Sequence, residues 1–267
     1  TEVGDSFWFF LISILGYFFC YIFIKPLKKI LNVGYNKLRD FFLFLFSATL
    51  ITGVLTQIIK HLVGRPRPNY ALENNTYGVD FFSLESSFHS FPSGHTSTVF
   101  IVAFCLAIFT PKLKYFYFLF AGIVGFSRIV VGAHYLFDVL SGAVVALIGL
   151  KITLIIFKKI NKIENIKTSK NFNNNSFLLV LVVFFISISF VTVGNDIDIF
   201  ISSLFYDGKQ SFLIQSYFWI SILSRKIFLP LLVLYIIIFP FISMYLPVKK
   251  IYLSYKFSAK DVVFVFF

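Results

Sequence analysis

Three short segments of this 267-residue chain carry side chains whose types and spacing suit the chemistry of phosphate. The first is Lys60-His-Leu-Val-Gly-Arg-Pro-Arg67-Pro68 and the second is Pro92-Ser93-Gly94-His95. The third is Ser127-Arg128, five residues, His134, three residues, Asp138. His134 and Asp138 are four apart, so on a helix they would share a face and touch. A carboxylate there can accept the proton of one imidazole nitrogen, fix the tautomer and leave the other nitrogen as a nucleophile. The same spacing also serves a purely structural pair.

Pro92-Ser93-Gly94-His95 reads as a helix N-terminus, where free N–H groups and the positive dipole end make an anion site. Gly94 lets a ligand approach the backbone, and His95 would sit beside that anion. A plain helix cap with Ser93 as the capping residue explains the same four residues. Lys60, Arg67 and Arg128 supply positive charge. A phosphoryl group in transfer spreads negative charge over three oxygens, and fixed cations stabilise it. Arg offers a planar fork suited to those oxygens. Pro66 and Pro68 stop helical continuation and stiffen the turn that aims Arg67. Each cation taken alone reads more readily as a headgroup anchor near a span end.

The elements that position these residues must be membrane helices. The chain is 58% hydrophobic and 13% charged, with 39 Phe; soluble domains run near half apolar and a quarter charged. The net charge of +12 does not point to nucleic acid, because it sits in short clusters between apolar runs. Those clusters are Lys25 to Arg39, Lys112 with Lys114, Lys158 to Lys170, and Lys249 to Lys260, the distribution of cytoplasmic loops. Apolar runs of spanning length are read at about 6–24, 40–60, 94–110, 113–131, 135–157, 174–193 and 217–246, with another starting near 261. With the basic clusters cytoplasmic, all three segments fall on the opposite face. Arg65, Arg67, Arg128 and Lys60 then stand on the disfavoured side, which calls for a functional explanation; Arg225 and Lys226 need only snorkel. Cys20 and Cys105 lie in apolar runs and read as small buried hydrophobes. No cleavable signal peptide is expected at the start of the chain.

Taken together, the three segments resemble the three-part signature of the type-2 phosphatidic acid phosphatase (PAP2) superfamily in order, spacing and placement at span ends. The resemblance covers about 5–157. It implies an all-α, polytopic transmembrane helical bundle and a membrane enzyme, a phosphoric monoester or diphosphate hydrolase that acts on a lipid headgroup. It also implies roles: His134 as the nucleophile that forms a phosphohistidine, Asp138 as its orienting group, and His95 as the acid that protonates the leaving oxygen. Lys60, Arg67, Ser93, Gly94 and Arg128 would hold the phosphate. No metal or other cofactor is implied, since cationic side chains fill that part. The expected partners are a membrane lipid phosphate and the bilayer. Candidate substrates are phosphatidic acid, phosphatidylglycerol phosphate, polyprenyl diphosphate and lipid A phosphate. The active site is expected on the non-cytoplasmic face, the periplasmic side for a bacterial inner membrane. Two other functions stay open: a phosphotransferase that passes phosphate to a lipid acceptor, and a non-catalytic lipid-binding protein on the same fold. His61 and His89 have no place in the signature and read as interfacial or loop residues. Loop 69–91 is the natural place for substrate choice.

A repeat adds a further expectation. Pro26-Leu-Lys28-Lys29-Ile30 recurs as Pro247-Val-Lys249-Lys250-Ile251, and at the same offset Phe46 falls on Phe267. The division that follows is a module at 1–160 lacking its first span, a basic cytoplasmic linker at 161–173, and the opening spans of a truncated second copy at 174–267.

Overall fold

The computed structural model describes residues 6–24, 34–159, 182, 184–189, 191, 195–206 and 212. The expected basic linker at 161–173, the span at 217–246 and the start of another near 261 lie outside the described residues, as does most of the span expected at 174–193.

Among the described residues the architecture is helical, and no strand forms. Helix α1 spans Ser6–Phe19 and continues as a π-helical turn, Cys20–Ile24. Helix α2 is Gly34–Val63, α3 Pro68–Asn74, α4 Gly94–Phe109, α5 Lys114–Val130, α6 Leu136–Lys159 and α7 Asn195–Ser203. Five of these elements coincide with the five apolar runs read before residue 160. The main difference lies in α2, which begins at Gly34 and so takes in the last residues of the stretch expected to be a basic loop. Its 30 residues make a rod of about 45 Å. The stretch at 69–91 is also more ordered than a loop: it contains α3 and a 3-10 turn, Ser86–Phe88.

Among the described residues, three segments are long and apolar enough to cross a membrane: Leu38–Val63, Pro111–Val130 and Leu136–Lys159. The protein is a membrane protein built as a helical bundle. Helix α4 has 16 residues, about 24 Å of rise, and is apolar on nearly every face. It is the central element, packed against α2, α5 and α6, while α1 packs on α2. A helix apolar all round belongs inside a bundle, and every residue from Thr96 to Phe109 is buried. Cys20 and Cys105 are buried and free, as expected.

The two ends of this bundle differ in composition. Near the α4–α5 turn the interior is filled by rings: Phe41 meets Phe109 at 5.0 Å, Phe44 meets Phe157 at 5.2 Å, and Phe104 meets Phe118 at 5.2 Å, all edge-on. Toward the other end small and polar residues take over. Thr56 Oγ1 and Ser97 Oγ lie 3.0 Å apart across α2 and α4. Gly142 of α6 lies so close to the start of α4 that an added Cβ would stand 2.7 Å from the Ser93 carbonyl oxygen. Small residues allow membrane helices to approach in this way. The consequence is local: α6, which carries Asp138, is pressed against the helix start that carries Ser93, Gly94 and His95.

Candidate active site

The site begins where α2 ends. Gly64 turns the chain with φ +57°, and residues 65–67 then run beside 87–90. Arg67 N–H donates to the Ser87 carbonyl at 2.8 Å, and Ser90 N–H to the Arg65 carbonyl at 2.9 Å. Pro66 and Pro68 follow the end of α2 as expected, and Pro68 also opens α3, where its fixed φ and missing N–H cost nothing. The two ends of the stretch between α2 and α4 are thereby tied together next to the N-terminus of α4.

His134 precedes α6 rather than lying on it. Its N–H and that of Ala133 both donate to the Arg128 carbonyl, at 3.2 and 3.1 Å, so a tight turn with Gly132 at φ +67° folds back on the end of α5. The expectation that Asp138 itself accepts the imidazole proton is corrected by the geometry. Nδ1 of His134 lies 2.7 Å from the Ser90 carbonyl oxygen and 3.9 Å from Asp138 Oδ2. A carbonyl oxygen can only accept, so Nδ1 carries the proton and Nε2 keeps its lone pair. Asp138 is nearby but engaged elsewhere. Its Oδ1 accepts from Arg65 at 2.6 Å; its Oδ2 accepts from the Ser90 hydroxyl and, at 2.9 Å, from the Tyr135 N–H. The last bond is the return half of a capping box at the start of α6.

The cations gather around this imidazole. Lys60, in the last turn of α2, is buried, and its Nζ donates to the His89 carbonyl at 3.1 Å. A Cβ at Gly94 would stand 3.6 Å from that Nζ, so the start of α4 meets the ammonium directly. Arg67 donates through Nε to the Ser86 carbonyl at 3.2 Å, and burial lowers its pKa from the ordinary value. Arg128 is 6% exposed, and its Nε and Nη1 have no hydrogen-bond partner among the described residues. His95, in the first turn of α4, is half-buried. His134 is fully buried, and its pKa lies well below 6.5. Burial is the main cause, followed by the charges of Lys60, Arg128, Arg67 and His95. The ring is therefore neutral at pH 7.

Ser93 is fully buried and caps α4. Its Oγ accepts from the Thr96 hydroxyl at 2.8 Å and from Thr96 N–H at 3.4 Å. With both bonds accepted, the Ser93 proton points away from Thr96 and can be donated elsewhere. The capping and anion-binding readings of this residue are thus compatible. The structure brings Lys60, Arg67, Ser93, Gly94, His95, Arg128, His134 and Asp138 to one end of the bundle.

Other residues at this end of the bundle fall outside the signature. Arg65, 2% exposed, joins Asp138 to Asp198 of α7, with its Nη2 2.8 Å from Asp198 Oδ2. Its guanidinium also lies 4.0 Å from the Tyr135 ring centroid. Burial would lower the Arg65 pKa, but the two carboxylates outweigh it and hold it above the ordinary value. Ser90 supplies the carbonyl for His134 and the hydroxyl for Asp138. His89 and His61 form an edge-on pair at 4.4 Å, and His89 holds Lys60 through its carbonyl. The position of Arg65 on the disfavoured side of the membrane was the one sequence signal for it. A backbone carbonyl and a distant carboxylate leave no such signal.

Residues 41–162 match the model of the PAP2 superfamily. The chain is 32% identical over 147 residues to a lipid A 1-phosphatase of Rhizobium etli, covering 53% of this chain and 62% of that protein. It is 33% identical over 102 residues to an undecaprenyl-diphosphatase of Bacillus subtilis, covering 37% of this chain and 50% of that one. To lipid phosphate phosphatase 2 of Arabidopsis thaliana it is 31% identical over 132 residues, covering 39% and 46%. The chain thus spans about three fifths, 62% and 59%, of the two Rhizobium relatives it matches. No solved structure matches it. Over residues 41–162, which hold every member of the three-part signature, the chain is similar to the PAP2 superfamily.

Proposed function

We propose that this chain is an integral-membrane lipid phosphate phosphatase that works through a phosphohistidine at His134. The observation that carries the reading is a neutral imidazole, held in its Nδ1–H form by the Ser90 carbonyl and surrounded by Lys60, Arg67 and Arg128. The adjacent carboxylate, Asp138, is already bonded to Arg65. Such a cluster of like charges favours an anion, and the neutral ring provides the nucleophile.

The reaction follows from these positions. Nε2 of His134 attacks phosphorus in line, so an N–P bond forms as the P–O bond to the lipid breaks. His95 gives a proton to the departing oxygen. His95 then takes a proton from water, whose oxygen attacks phosphorus; the N–P bond breaks and inorganic phosphate leaves. Lys60, Arg67, Arg128, the Gly94 N–H and the Ser93 hydroxyl hold the phosphoryl oxygens as charge develops on them. These cations make a metal unnecessary in the scheme, so turnover is expected to persist in chelator.

A lipid substrate is supported by the surroundings of the site. Leu50, Val54, Ile58 and Leu62 form an exposed apolar stripe along α2. Asp80 N–H bonds the Gly64 carbonyl at 2.7 Å just past the end of that stripe, and Phe81, Phe82 and Leu84 beside it are exposed. The apolar surface thus runs up to the rim of the site. The relatives' names suggest lipid A 1-phosphate and polyprenyl diphosphate as the first compounds to try. Lys112 at the α4–α5 turn and Lys158 and Lys159 in the last turn of α6 stand at the opposite end of the bundle, which supports a site on the non-cytoplasmic face, the periplasmic side in a bacterial inner membrane. The chain is organised as one module at 1–160 followed, after a basic linker at 161–173, by the opening of a second copy at 174–267.

The mechanism is tested by acid-free denaturing quench after mixing the protein with a radiolabelled lipid phosphate. The expected product is an acid-labile, base-stable label on His134. Turnover without any such label, in experiments that sample the steady state, would remove the phosphohistidine.

A further inference from the structure

Arg65 connects the reactive centre to a segment beyond the residues that match the family, 41–162. One arm of its guanidinium, Nη1, bonds Asp138 Oδ1 at 2.6 Å, and the other, Nη2, lies 2.8 Å from Asp198 Oδ2. Both carboxylates are 0% exposed. The second oxygen of Asp198 accepts the Phe137 N–H at 3.2 Å. That N–H is one of the groups a helix start leaves unpaired, and it adjoins Asp138 in the chain. One carboxylate therefore grips both the cation on Asp138 and the helix turn that carries Asp138. The same segment backs the His134 turn from a second direction: Phe212 is buried so close to Gly132 that a Cβ there would stand 2.2 Å from the ring.

We propose that Asp198 is a positioning residue for phosphate transfer, acting through Arg65 on Asp138 and, by way of Ser90, on His134. The inference rests on the phosphatase reading above. Its physical basis is charge. When Nε2 bonds to phosphorus while Nδ1 keeps its proton, the ring becomes cationic. It does so facing Lys60 from α2, Arg67 from the turn before α3, His95 from α4 and Arg128 from α5. The opposing anion is Asp138 at the start of α6, and Arg65 neutralises it. Asp198 adds the second negative charge and gives the Asp138–Arg65–Asp198 group a net charge of −1. Without it the group is neutral, and the imidazolium forms against Lys60, Arg67 and Arg128 with no net negative charge behind it. A pair of carboxylates on one guanidinium thus both fixes the geometry and keeps a negative field behind the nucleophile.

The test uses the full chain in detergent and measures phosphate release from phosphatidic acid and from undecaprenyl diphosphate. Asp198→Asn keeps an acceptor for the Phe137 N–H and removes the charge. It is expected to lower kcat about tenfold, one decade in rate for about 1.4 kcal/mol, with KM within about twofold. The acid limb of the kcat/KM profile should also move to lower pH, because loss of an anion disfavours the imidazolium. Asp198→Glu should return kcat to within about threefold of wild type. In an Arg65→Lys background the Asn substitution should cost less than in wild type, since the two act through one contact. A brace with no electrostatic part would lower activity and leave the pH profile in place. The proposal is overturned if Asp198→Asn has wild-type kcat while His134→Ala is inactive. It is also overturned if the Asn and Glu variants fall alike with an unmoved pH profile. Release by His134→Ala at the wild-type rate would instead remove the phosphatase reading itself. Should Asp198→Asn not fold, Asp198→Glu against Asp198→Gln carries the same contrast, and equal kcat for the two would overturn the proposal.

Discussion

Two arginines stand at the same end of the bundle, and both are nearly out of reach of solvent, at 2% and 6% exposure. Arg65 has a carboxylate on each arm and an aromatic ring against its face. Arg128 has Nε and Nη1 with no hydrogen-bond partner among the described residues, and its neighbours Lys60 and Arg67 are cations. A buried ion is tolerated when it is paired and costly when it is not. The pairing of Arg65 makes it part of the frame. On the proposed reading, the Arg128 nitrogens that lack a partner among the described residues are the ones that would meet a phosphate.

The contrast is sharpest when each arginine is removed. Arg128→Met is expected to lower kcat/KM for a lipid phosphate by about 10²–10³, the range for loss of one transition-state charge partner. Its thermal midpoint in detergent should stay the same or rise, because an uncompensated buried cation is gone. Arg65→Met should do the reverse on stability, costing about 3–5 kcal/mol by leaving two buried carboxylates without their cation. Parallel melts and initial rates on the two variants decide it. Equal destabilisation of both would erase the distinction between frame and site.

A smaller effect concerns pH. His134 is held neutral, with its pKa well below 6.5 mainly by burial. On unfolding the ring regains its ordinary pKa and takes up a proton at pH values between the folded and unfolded values. The stabilisation from this group is therefore present above about 6.5 and is lost as the pH falls toward the folded pKa. The slope is at most about 1.4 kcal/mol per pH unit for one proton. The expected outcome is a melting temperature that falls from pH 7 to pH 5 in wild type and less steeply in His134→Gln. Identical slopes would mean that the ring is not buried neutral.

Much of the fold was legible because membrane helices announce themselves by length and apolarity. The five runs before residue 160 became helices with ends within a few residues of expectation, apart from the earlier start of α2 at Gly34. The site was legible to the extent that its members are charged or nucleophilic and stand at helix ends, as Lys60, Arg67, His95 and Arg128 do. What the sequence concealed were the groups that act through backbone or through distance. Ser90 does its work on His134 with a carbonyl that every residue possesses. The four-residue spacing from His134 to Asp138 suggested a helix face, but Gly132 and the bonds to the Arg128 carbonyl make a turn there instead. Asp198 lies sixty residues beyond Asp138, and nothing in its local pattern indicates Arg65. Arg65 itself stood out only as a positive charge on the wrong side of the membrane.

The central claim is that His134, among these cations, is the nucleophile of a lipid phosphatase. The most direct measurement is inorganic phosphate release from a panel of lipid phosphates in detergent with chelator, comparing wild type with His134→Ala. Wild type should release phosphate steadily from at least one lipid of the panel, and the variant should release none above background. Release by His134→Ala at the wild-type rate would contradict it.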